Sequence, residues 1–71
     1  MNVWVVIMVD HGVVDGCCVR VFDTEQGAVE NYIEVADDIR ELEPVSFHQD
    51  LLEWSAWSEH YSVNIFEKVV N

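Results

Sequence analysis

The chain has 71 residues, a 51% apolar share and fourteen acids against three bases, for a net charge of −11. That length predicts a single domain over residues 1–71, and the apolar share, with Trp4, Trp54 and Trp57, is too high for a disordered acidic tail. A field this negative repels nucleic acid and anionic membranes and attracts cationic surfaces, and no apolar run approaches the roughly 20 residues of a membrane span.

In chain order, Val3–Val9 is a continuous β-branched and aromatic run, which predicts a buried strand in the middle of a sheet. It has no basic leader and no small-residue cleavage site, so a cytoplasmic protein is expected. Asp10-His11-Gly12 and Asp15-Gly16 supply turn chemistry after it. Cys17–Phe22 then alternates, with Cys17, Val19 and Val21 on one face and Cys18, Arg20 and Phe22 on the other. A hairpin with a loop of about five to seven residues follows from this pattern. Cys17 and Cys18 point to opposite faces of such a strand, and neighbours make a strained disulfide, so no disulfide framework is expected.

Asp23 or Thr24 can cap the next helix, with Gln26 placed as a capping-box partner of Asp23. Ala28, Tyr32, Val35, Ile39 and Leu42 fall within about 80° of arc at 100° per residue, and Val29, Ile33 and Ala36 widen that apolar face. Glu43-Pro44 ends the helix, because the residue before proline is pushed out of the α region. Ser46-Phe47-His48-Gln49 reads as a second capping box, which favours a short helix through about Glu53. Trp54–Trp57 extends that helix or starts a strand, and Tyr61–Val70 alternates as a final strand. The predicted fold is α+β: a small antiparallel sheet, ββα(α)β, with one long amphipathic helix packed on one face. The other face stays open unless the second helix, the tryptophans or another subunit covers it, which allows a monomer or a homodimer.

Catalytic patterns are missing from the sequence, and no enzyme is expected. His11, His48 and His60 lack zinc-site spacing, and a group of His11, Asp15 and Cys17 is more simply a set of turn residues. Ser55, Ser58, His60 and Asp50 hold the letters of a triad without the strand–turn–helix elbow around either serine. No phosphate loop or EF-hand pattern is present, so neither a cofactor nor a specific metal is expected. Trp54, Trp57 and Tyr61 read either as core or as exposed anchors of an interface, where such residues are enriched.

The acids are the informative feature. Between Asp23 and Glu59 stand eleven carboxylates and a single cation, Arg40. Glu30, Glu34, Asp37 and Glu41 recur at spacings of four, three and four, which stacks them on one helix face with Asp38 at its border. Like charges so placed cost a helix roughly 0.2–0.5 kcal/mol per pair, so the array serves something other than folding. Five carboxylates over roughly 16 Å of helix give about one charge per 3–4 Å, close to the ~3.4 Å spacing along a DNA strand. Glu43, Asp50 and Glu53 are candidates to extend the track, and Glu59 can lengthen it further.

In size, in its ββα-type layout and in the acidic helix Glu30–Glu41, the chain resembles the small acidic DNA mimics of phages and mobile elements, above all DNA-mimic anti-CRISPR proteins. The resemblance implies a stoichiometric inhibitor in a host bacterial cell that occupies the basic DNA-reading surface of a CRISPR–Cas effector, type I-like in character. Its partner is then a basic DNA-binding protein or complex, with no direct nucleic-acid or membrane contact. Two other accounts of the acids are a merely solvated face and adaptation to high salt. A different class of function is an assembly module that works through the sheet face or Trp54/Trp57, with the acids serving solubility.

Overall fold

The computed structural model describes residues 1–12, 16–49 and 53–70. Asp15, Asp50 and the 50–52 stretch of the expected second helix lie outside these residues. The elements are β1 (Asn2–Asp10), β2 (Cys17–Phe22), α1 (Glu25–Leu42), β3 (Ser46–Gln49), β4 (Glu53–Trp57) and β5 (Tyr61–Val69). All strands join one antiparallel sheet in the order β2-β1-β5-β4-β3. The architecture is α+β, a five-stranded sheet with one helix against it.

β1 and β2 form the expected hairpin, in register from Trp4–Phe22 to Val9–Cys17. The hairpin closes where the Asp10 amide donates to the Gly16 carbonyl at 2.6 Å. A Cβ on Gly16 would collide with the Asp10 carbonyl oxygen, so this close approach requires glycine. Cys17 and Cys18 are both free and exposed.

The region after Pro44 corrects the sequence reading. Ser46–Gln49 is a strand, not a helix, and pairs with β4 from Ser46–Trp57 to Gln49–Trp54. Its apolar and polar residues alternate from Val45 to His48, the period of a strand, and the Ser46…Gln49 capping-box match is incidental. Pro44 holds Glu43 extended and so ends α1 before this segment, and β4 supplies the hydrogen bonds of β3. The strand alternative for Trp54–Trp57 holds, as β4. Two strands are thereby added on the far side of β5. β1 lies inside the sheet between β2 and β5, as its buried run predicts, and the two added strands make β5 the centre of the five.

The core forms between α1 and one face of the sheet. Ala28, Tyr32, Ala36 and Ile39 of the helix meet Val6, Ala56, Val63 and Ile65. Ala28, Ala56 and Val63 are completely buried; the two alanines let the backbones approach, and Val63 fills the centre of β5. Tyr32 meets Trp54 edge-on, with ring centroids 6.0 Å apart at 65°, an arrangement that aromatic quadrupoles favour. Burial pushes the Tyr32 hydroxyl pKa up.

The apolar stripe is narrower than its sequence arc. Leu42 is 69% exposed and Ile33 50% exposed. The buried positions centre on the Ala28–Tyr32–Ala36–Ile39 row, so Ile33 turns to the outward flank and Leu42, the last helical residue, reaches past the sheet. Truncation separates the two classes. Ile39→Ala should cost about 2–5 kcal/mol, whereas Ile33→Ala should stay within about 0.5 kcal/mol, as read from urea midpoints at constant slope.

Candidate functional site

Local rules position the acidic helix. Thr24 is the N-cap: its Oγ1 accepts from the Gly27 amide at 3.2 Å, and its carbonyl accepts from Ala28 at 3.3 Å. Gln26 does not close a capping box with Asp23; its Nε2 donates to Glu30 Oε1 at 3.2 Å. With the cap at Thr24 and the apolar row against the sheet, Glu30, Glu34, Asp37, Asp38 and Glu41 all stand exposed on the far side of the helix.

Their charges are nearly uncompensated. Arg40 Nη2 lies 2.8 Å from Asp37 Oδ1, an exposed pair three residues apart that contributes little to stability. Among the described residues, no ion pair involves Glu30, Glu34, Asp38 or Glu41. Asp37, Asp38 and Glu41 stand in the C-terminal half of α1, where the helix dipole is negative, so the field they make adds to it. Ile33 sits within this field, one turn from Glu30 and from Asp37.

The structure separates two of the other three candidates, Glu43 and Glu53, from this row. Asp50 lies outside the described residues. Glu53 belongs to β4, where Trp54 and Ala56 face the helix; alternation puts Glu53 on the opposite face of the sheet. There it accepts from Asn64 Nδ2 at 3.4 Å. Glu43 is a fastening. It caps α1, with its amide donating to the Ile39 carbonyl at 3.0 Å. Its carboxylate accepts from the Ser58 hydroxyl and from the His60 amide at 2.8 Å, and its Oε2 lies 2.8 Å from His60 Nδ1. The same turn between β4 and β5 is held by Ser58 N–H to Tyr61 O at 2.8 Å, and His60 O accepts from the His11 amide at 2.8 Å. One carboxylate thus ties the helix end to the β4–β5 turn, and that turn to the β1–β2 loop. Proximity in sequence cannot reveal such a tie; the Glu43 and His60 partners stand 17 residues apart.

This arrangement also bears on the triad letters. The carboxylate stands between the Ser58 hydroxyl and the His60 imidazole, whereas nucleophile activation needs the imidazole in the middle. Among the described residues no group of three metal-ligating side chains occurs. A hollow of about 100 Å³ lined by Trp4, Glu25, Val29 and Trp54 falls well short of the roughly 300–1,000 Å³ of small-molecule sites. Of the two tryptophans, Trp54 packs against the core and Trp57 is 44% exposed.

No family model, no curated protein and no solved structure matches the chain. The candidate site therefore rests on geometry and charge. No described helix is long and apolar enough to cross a membrane.

The Glu43 fastening has a pH signature. Hydrogen bonds from His60 and Ser58 hold the Glu43 carboxyl down at about 2, and the Glu43 carboxylate raises His60 above its ordinary 6.5. The Glu43 contribution is complete above its unfolded value near 4.5 and is lost as pH falls through about 2. The His60 contribution is complete below 6.5 and is lost as pH rises through its raised folded value. Melting temperatures of the wild type and Glu43→Gln should therefore differ most between about pH 4.5 and 6.5, with the gap closing at lower pH and narrowing at higher pH to what the Ser58 and His60 amide bonds contribute. A gap independent of pH would contradict the ion-pair assignment.

Proposed function

We propose that the protein is a stoichiometric inhibitor that offers the outward face of α1 as a surrogate for a DNA phosphate strand. Its partner is a protein or complex with a basic DNA-binding surface; a CRISPR–Cas effector of type I-like character is the target class that the resemblance implies. The observation that carries this reading is the row Glu30, Glu34, Asp38 and Glu41, exposed on one helix face with no cation partner among the described residues. Asp37 joins the row with its charge half-spent on Arg40.

The mechanism is electrostatic competition. Lysine and arginine side chains that neutralise phosphates bind carboxylates through the same charge-assisted hydrogen bonds, and arginine binds them two-pronged. The like-charge repulsion stored along α1 is relieved when cations arrive, so binding gains what folding lost. Ile33, exposed among the acids, adds an apolar contact that a phosphate strand lacks and gives the surface a means of choosing among basic partners.

Charge reversal tests the reading without damaging the fold. Glu34→Lys with Glu41→Lys places lysines four residues from Glu30, Asp38 and Asp37 and creates favourable helical pairs, so the variant should be as stable as the wild type or slightly more so. Immobilised wild type should capture a DNA-binding protein or complex from a bacterial lysate and release it in a salt gradient. The double variant should bind that partner at least about tenfold more weakly, because phosphate-type contacts dominate such affinity. Equal capture by both proteins would reduce the acids to a solubility device.

A further inference from the structure

We infer that the face of the sheet turned away from α1 is the docking surface for a second copy of this chain, giving an α/β/β/α dimer with an acidic helix on each outer side. Strand alternation defines the face. Trp4 and Val6 of β1 and Val63 and Ile65 of β5 turn towards the helix, so Val5, Ile7 and Phe66 turn away from it. β2 adds Val19 opposite Ile7 and Val21 opposite Val5, and β4 adds Trp57. Val19 and Val21 are 57% and 63% exposed. Val21 across from Val5, Val19 across from Ile7 and Phe66 beside Val5 form an apolar strip; Val5 is already buried by these neighbours, and Val19 and Val21 are its open part.

Charge selects the occupant. The strand residues on this face include one acid, Glu53, and one base, Lys68, so the face is close to neutral in a chain of net charge −11. The acids of α1 lie on the opposite side of the molecule. A copy approaching any acid-bearing surface meets repulsion; here it meets an apolar strip on β1 and β2, bordered by Ser46, His48, Ser55, Ser62 and Asn64, with one charge of each sign, a chemistry complementary to itself, as a two-fold interface must be. A cationic partner finds its complement on α1 and gains nothing from this face.

The area is sufficient. Two nine-residue strands with neighbours of six, five and four residues, at ~3.3 Å rise and ~4.8 Å spacing, cover roughly 500 Å² of flat footprint. Two copies then bury on the order of 1,000 Å² before side-chain relief is counted, which reaches the size at which specific interfaces begin. Sheets packed face to face stand about 10 Å apart with strands within about 30° of alignment. The two α1 helices then lie on opposite outer surfaces, each with its acids facing solvent. If α1 is the target-binding face, one dimer offers two such faces; the dimer itself does not depend on that reading.

Sedimentation equilibrium on the full chain, from about 1 to 500 μM, tests the inference at low salt and at higher salt. A monomer–dimer equilibrium should appear and should tighten with added salt, because salt screens repulsion between two like-charged chains. That is the opposite of the salt response expected for a cationic partner. Val21→Asp and Val21→Lys, both at an exposed position and checked for folding by circular dichroism, should each weaken dimerisation at least tenfold. Glu34→Lys with Glu41→Lys should leave it intact. A wild type that stays monomeric across the range overturns the inference. So does a dimer indifferent to both Val21 variants, which would point to pairing through a sheet edge, or one weakened by aspartate and not by lysine, which would make the contact ionic.

Discussion

Packing of the α1 apolar row against β1 and β5 is the interaction on which everything else in this protein depends. Ala28, Tyr32, Ala36 and Ile39 close over Val6, Val63 and Ile65, and the small residues set how near the helix can sit. Once that row is fixed, the helical period leaves no freedom to the rest of the surface: positions 30, 34, 37 and 41 must face solvent. The same element is therefore the lid of the core and the carrier of the acids. One helix covers one face, and no described element packs on the reverse of the sheet.

That double duty explains why the charge is tolerated. Repulsion along α1 costs tenths of a kcal/mol per pair, while burying Ile39 alone contributes about 1.5–3 kcal/mol, so burial of the row outweighs the repulsion. The helix end, where three acids meet the negative pole of the dipole, is the place most exposed to fraying. It is there that Arg40 pairs with Asp37 and that Glu43 is fastened to Ser58 and His60. The Glu43 fastening thus sits where the electrostatics are worst.

Much of this was legible in the residues. β1, β2, α1 and β5 follow from β-branched runs, alternation and a 3.6-residue period, each of which reports burial directly. β3 was not, because the letters of a capping box, Ser46–Gln49, overlap a short alternation from Val45 to His48, and only pairing with β4 decides between the two periods. The arc of α1 was overdrawn at Ile33 and Leu42 because hydropathy says which residues prefer burial, not how far a sheet extends beneath them. In the acidic site, the helical row could be read from spacing alone. Counting charge could not tell that Glu43 is consumed by a tertiary hydrogen-bond set or that the pleat turns Glu53 to the other side.

The molecule thus segregates its surface chemistry: anionic on the helix side, nearly neutral on the reverse, with an apolar strip along β1 and β2. The helix side carries the central claim, that α1 stands in for a phosphate strand. The most direct test is competition on a purified basic partner already saturated with labelled duplex DNA. Titration with the protein should displace the DNA completely, leaving partner–protein complex and free DNA. A stable ternary complex, with DNA and protein held together on the same partner, would contradict the claim.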